Sequence, residues 1–129
     1  MPQASNITIN DGSATPVAVT FSVERKDPTL TSWVDRRLAV ASVQPRVTVG
    51  FSPANPKRKT DRVPVTITVP ITGMRDGLVV PIGANRFIGE FIISEDSPEQ
   101  SRKDIVAFTI NALQNALIKG VPLSRDPIY

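Results

Sequence analysis

The chain contains no cysteine and no histidine. Without cysteine no disulfide can staple the fold, and a reducing compartment does it no harm. Without histidine it lacks the side chain whose ordinary pKa lies closest to neutral pH, which is also the commonest metal ligand. Zinc and copper centres lose their usual ligands, and Ser-His or Cys-His nucleophile pairs cannot be built. Long apolar runs are also missing. None approaches the ~20 residues of a membrane-spanning helix, and nothing reads as a signal peptide. No phosphate-cradling glycine loop and no nucleophile elbow is present. Glu90, Glu95, Asp96 and Glu99 offer the only concentrated carboxylates for acid–base work or a Mg²⁺ site. They fall near a strand end and a helix start, where capping and the helix dipole already account for acids. The expectation is a protein that is not an enzyme, with no cofactor, no metal, no membrane and no small-molecule substrate.

What remains is 129 residues rich in turn formers, with 12 prolines and 7 glycines. That length suits one domain, 1–129, able to bury roughly two thirds of its unfolded surface. The net charge of +3 is unevenly spread. Residues 1–24 carry only Asp11 and Glu24, and residues 63–129 are close to balanced. Residues 25–62 hold nine Lys and Arg against three acids. A positive potential concentrated in this way suits a polyanion-binding surface. The plainer reading is a solubilising loop.

Apolar periodicity outlines the elements. Ile7–Asn10 and Val17–Val23 flank a turn-rich link and read as a hairpin, with Val17, Val19, Phe21 and Val23 on one face. A strand with the only tryptophan, Trp33, covers about Thr31 to Arg37. Arg46 to Ser52 alternates strictly: Val47, Val49 and Phe51 against Arg46, Thr48, Gly50 and Ser52. Val63, Val65, Ile67 and Val69 likewise oppose Pro64, Thr66 and Thr68. Between these two strands, Ser52–Asp61 is a proline-rich basic connection, long for a simple hairpin. A further strand, about Arg86 to Ser94, is apolar on both faces and is expected to be buried on both. Ser97-Pro98-Glu99 reads as a helix start and Gly120 as its stop. Val106, Ile110, Leu113 and Leu117 form one apolar stripe on that helix; Ile105, Phe108, Ala112 and Ala116 form a second. The arc is wide for a surface helix. Either ordinary core packing or a partner subunit would account for it.

This order predicts an α+β fold: an N-terminal hairpin, an antiparallel meander and C-terminal helix, without strand–helix alternation. One sheet face is then left for water or a ligand. Thr48, Ser52, Thr66 and Thr68, with Arg46 and Arg62 on or beside them, make that face shallow, hydroxyl-bearing and basic. An extended polynucleotide backbone could lie close to such a surface, with arginine bonding phosphate. A solvated outer face is the plainer alternative.

The ordered series as a whole resembles the coat proteins of small single-stranded RNA bacteriophages, the leviviruses. It runs from Ala4-Ser5-Asn6 before a hairpin, through Trp33, Arg46-Val47-Thr48-Val49 and the basic connection, to a strand ending Val69-Pro70. It continues with a glycine-containing loop to Leu78-Val79-Val80-Pro81, a helix ending Leu117-Ile118-Lys119-Gly120 and the terminal Pro127-Ile128-Tyr129. The resemblance implies a hairpin, a five-stranded antiparallel sheet and C-terminal helices. It implies a homodimer with edge-to-edge sheets and interlocked helices, assembled into an icosahedral shell in the bacterial host cytoplasm and found in the virion. The inner sheet face would bind single-stranded genomic RNA, including a stem-loop, and so repress replicase translation.

By the same resemblance, the RNA-facing positions are Arg46, Thr48, Gly50, Ser52, Thr60, Arg62, Pro64, Thr66 and Thr68. Gly50 and Pro64 stand where better-known members have hydroxyl residues lining an adenine pocket, and Thr66 and Thr68 replace charged residues. General RNA binding carries over and the particular hairpin specificity does not. A base-stacking aromatic would be Phe87, with Ile88 equally placed by count. The Ile71–Val80 segment matches an inter-dimer loop, including Ile71, Gly73, Arg75, Gly77 and then Pro81, in which glycine permits several conformations. Ile105, Phe108, Leu113 and Leu117 would pack the helices within the dimer. Only nine residues follow Gly120, so the second helix should be short, about one turn. A single-strand nucleic-acid-binding α+β domain with no shell function uses the same face and is the competing reading.

Overall fold

The computed structural model describes residues 3–128, so Tyr129 of the terminal resemblance lies outside the described residues. The chain divides into two compact units, Met1–Ile92 and Ile93–Tyr129. The first holds a six-stranded antiparallel meander in the order β1-β2-β3-β4-β5-β6. Its strands are β1 (Ile7–Asn10), β2 (Ala18–Lys26), β3 (Leu30–Val34), β4 (Arg46–Gly50), β5 (Thr60–Arg75) and β6 (Leu78–Ser94). The α+β class is as expected, and the count of six arises because β2 serves twice. Its first half pairs with β1, Ile7 opposite Phe21 and Asn10 opposite Ala18. Its second half pairs with β3, Ser22 opposite Val34 and Lys26 opposite Thr31. The hairpin and the five-stranded sheet therefore share one strand.

Alternation separates the two faces. Trp33, Val47 and Ile67 are neighbours across β3, β4 and β5. Val47 joins Val19 and Phe21 in the buried cluster, with Ile7, Trp33 and Ile67 packed against it. The Trp33 indole N–H donates to the Ser5 carbonyl at 2.8 Å, and the Asn6 side-chain oxygen accepts from the Val23 amide at 3.1 Å. Those two bonds fasten the N-terminal segment over the start of the sheet, each satisfying a donor that would otherwise need water.

The structure corrects three expectations. First, most of the Ile71–Val80 loop is strand. Ile71, Gly73 and Arg75 lie in β5 and Pro81 lies in β6. Only Asp76-Gly77 turns, with φ of 51° and 78°. Two consecutive positive φ values make the turn that matches strand twist, and Asp-Gly is a favoured pair for it. Gly73 has a different role: a Cβ there would meet Ile82 Cγ2 at 3.0 Å, so it permits close packing within the hairpin.

Second, the strand expected to be buried on both faces contains no buried residue, and Ile88 is 73% exposed. β6 is the last strand in the sheet order, so it has a strand neighbour on one side only.

Third, the helical region is two elements, α1 (Glu99–Gln114) and α2 (Ala116–Ser124). Pro98, not Ser97, takes the N-cap of α1. Asn115 ends α1 and starts α2. Its amide donates to the Ala112 carbonyl at 3.1 Å, and its side-chain oxygen accepts from the Leu117 amide at 3.0 Å. An asparagine acceptor of this kind satisfies a first-turn donor and breaks an otherwise continuous stripe. Gly120 and Pro122 lie inside α2, which runs nine residues to a left-handed Arg125 at φ 62°. It is longer than the single turn expected. Neither helix contains a buried residue.

Candidate nucleic-acid interface

On the sheet face opposite Val47, the polar side chains fall into register. Ser32, Thr48 and Thr66 stand opposite one another across β3, β4 and β5, and Arg46 stands opposite Thr68. The structure therefore brings Arg46, Thr48, Thr66 and Thr68 together as the alternation required. Farther along the β4–β5 pairing, Ser52 forms an isolated bridge with Arg62. Between that bridge and the Val49–Val65 pair lie Gly50 and Pro64. Pro64 lacks the N–H to continue the ladder, and its ring packs onto Gly50, where a Cβ would meet Pro64 Cγ at 3.0 Å and the Thr29 carbonyl at 3.2 Å. The ring fills the space that a larger side chain at position 50 would occupy.

The basic connection is ordered by its own side chains. Asn55 Oδ1 accepts from the Lys57 and Arg58 amides, and Asp61 accepts from the Ala54 amide at 2.6 Å. Arg58 turns back onto the loop, donating to Ser52 Oγ at 2.8 Å and to the Thr60 carbonyl at 3.1 Å. Arg58, Ser52 and Thr60 thus stabilise loop geometry. Lys57 and Lys59 are exposed, and neither has an ion pair among the described residues.

The two arginines on the face are each matched by a carboxylate. Arg46 donates to both oxygens of Glu24 at 2.6 Å. Arg62 donates to Glu90 at 3.2 Å, while its Nε is buried without a hydrogen-bond partner among the described residues. Sequence reasoning missed both partnerships. Alternation from Val23 puts Glu24 on the same face as Arg46, and a β-bulge follows: Val23 faces Trp33 and Arg25 faces Ser32, so Arg25 joins Glu24 on that face. Bulges re-aim side chains, and nothing in a period-two pattern announces one. Glu90 was legible only as one of a group of acids near a strand end, since its partner lies 28 residues away.

Next to this pair, Glu24, Arg25, Leu30, Ser32, Arg46 and Thr48 line an open recess of about 530 Å³. At its edge Asp27 closes the β2–β3 turn. The Thr29 hydroxyl and the Leu30 and Thr29 amides donate to its carboxylate, with Arg25 alongside, and hold its pKa down at about 2.

Three comparisons bear on this architecture. No curated protein matches the sequence. The chain is similar in structure to the virus-like particle protein of bacteriophage ESE058, at 27% identity and TM-score 0.86, over 99% of this chain and 100% of that one. It is similar in fold to the virus-like particle protein of Beihai levi-like virus 21, at 19% identity and TM-score 0.89, over 99% of both chains. The bacteriophage GA capsid protein shares the fold at 15% identity and TM-score 0.71, over 97% of both chains. The family model described as levivirus coat protein matches residues 2–129, nearly the whole length. The chain belongs to the levivirus coat protein family, whose members are structural capsid proteins and not enzymes.

Proposed function

We propose that the chain acts as one coat domain, 1–129, that dimerises, builds a closed shell in the bacterial cytoplasm and packages single-stranded RNA against its threonine-rich sheet face. The observation that carries this reading is apolar surface left open in a single chain. On the helices, Ile105, Phe108, Leu113 and Leu117 are all exposed, as are Leu123 and Ile128. On β6, Phe87, Ile88 and Ile92 are exposed as well. Soluble monomers rarely leave so much apolar side chain in water, and larger exposed patches mark interaction sites. Family membership supplies the occupant, a second copy of the same chain. β6 has an open hydrogen-bonding edge that can continue into a partner's sheet, and the helices of two copies interlock.

In the shell, Arg46, Thr48, Ser52, Thr60, Arg62, Thr66 and Thr68 face the RNA, with Lys57 and Lys59 adding unpaired charge beside them. The hairpin around Asp76-Gly77, with Ile71, Gly73, Arg75 and Pro81 in its strands, lies where dimers meet. An RNA stem-loop is among the segments bound, which would couple packaging to repression of translation. Light scattering and electron microscopy of the purified protein test the assembly. Megadalton particles carrying nucleic acid are the expected result. A stable species near twice 14.0 kDa under all conditions would instead support a nucleic-acid-binding domain with no shell.

A further inference from the structure

The bulge at Glu24 has no role in the reading above, and the recess beside it is lined by complementary chemistry. Its wall presents a carboxylate and a guanidinium side by side, Glu24 and Arg46, at 2.6 Å. The Ser32 hydroxyl lies 3.5 Å from Glu24 Oε2, Thr48 stands opposite Ser32, and Leu30 supplies an apolar surface. Glu24 and Arg46 side chains are both about one-third exposed, so an incoming group reaches them without unfolding anything. Arg46 uses one terminal nitrogen on both carboxylate oxygens, and its other N–H groups have no partner among the described residues.

We propose that this recess receives one unpaired guanine base of the RNA and that Glu24 determines its selectivity; the proposal rests on the sheet face being the RNA-binding face. Guanine alone among the four bases presents two adjacent donors, N1–H and N2–H, with the acceptor O6 beside them. Guanine takes over the carboxylate edge that Arg46 holds: its N1–H and N2–H donate to the two Glu24 oxygens, and the guanidinium, moved to the side, donates to O6. Adenine and cytosine offer the carboxylate a single exocyclic amine, and uracil places two carbonyls around its one N–H, which a carboxylate repels. Unpaired RNA bases are commonly read on this edge, and an apolar side chain such as Leu30 can rest against the ring. Alternation from Val23, which faces Trp33, puts Glu24 on the face of Ser32 and Thr48, and the bulge brings Arg25 onto that face beside it.

The test measures binding of assembled or dimeric protein to uridine decamers carrying a single central guanosine, inosine or adenosine, at fixed salt. Inosine lacks only the 2-amino donor. Wild type should bind the guanosine oligomer about tenfold more tightly than the inosine one, the scale of one good base-edge contact. In Glu24→Gln that ratio should fall close to one, with the guanosine oligomer losing affinity relative to the adenosine one. Equal binding of guanosine and inosine by wild type overturns the proposal without any variant. So does a ratio that survives in Glu24→Gln, which would make Glu24 only a counter-ion for Arg46. Binding of none of the three would defeat the polynucleotide face itself, and this site with it.

Discussion

Gly50 and Pro64 are the residue-level departure on which the polar face turns. Gly50 is buried, and the atoms a Cβ would strike include the Thr29 carbonyl at 3.2 Å, a backbone atom with little freedom to retreat. Gly50→Ala should therefore destabilise the protein by roughly 1–3 kcal/mol, as overpacking does. Chemical denaturation checks it, and adding Pro64→Ala should restore part of the loss by removing the other obstructing group, so the two changes should not be additive. Arg62 poses an electrostatic question at the same scale. Its partner Glu90 is exposed enough that the pair itself contributes little stability. If phosphate displaces that carboxylate, Arg62→Ala should lower the slope of log affinity against log salt by about one unit for single-stranded RNA. Glu90→Gln should strengthen binding without steepening stability losses, and an unchanged slope in Arg62→Ala would remove that arginine from the interface.

At the scale of elements, the β2–β3 turn shows how much four residues can decide. Asp27 is held at about 2 against an ordinary 3.8 by donors from Thr29 and Leu30, with Arg25 adding a bond. A depressed carboxylate pKa means the folded state favours the charged form. Its contribution is therefore full above about pH 4 and is lost as pH falls through about 2. Amide exchange at Leu30 should stay slow at about pH 4 and speed up below about pH 2, and Asp27→Asn should make that amide's protection nearly independent of acid. The strands β4 and the middle of β5 were readable because Val47, Val49, Val65 and Ile67 alternate without interruption. The hairpin of β5 and β6 was less so. Gly73 and Gly77 look alike in a sequence, yet one packs beneath Ile82 and the other turns the chain at φ 78°. Helix periodicity passed straight through Asn115 because no local pattern shows whether its side chain points to solvent or caps the next turn. The Glu24–Arg46 and Arg62–Glu90 pairs escaped for a related reason, since their members lie 22 and 28 residues apart in sequence.

For the whole molecule, apolar surface is the dominant fact. Apolar side chains stay exposed on both faces of β6 and along both helices, with Phe108 and Leu117 each 69% and Leu123 82% exposed. Each buried CH₂ is worth about 0.8 kcal/mol, so covering several such side chains rewards association with tens of apolar carbons removed from water. A sheet of six strands whose buried hydrophobic cluster centres on Val19, Phe21 and Val47 has a small core for its length. If the proposed dimer forms, folding of each chain and assembly should be hard to separate energetically, as in obligate homodimers. A carboxylate placed in the covered surface tests this directly. Phe108→Asp or Leu113→Asp would bury a charge with no partner, at a penalty of several kcal/mol. Either substitution should abolish particles and shift the protein to aggregate or unfolded monomer in size-exclusion chromatography with light scattering. Particles of normal mass from both variants would mean that these two positions remain in solvent after assembly, and the apolar stripe on α1 would need another explanation.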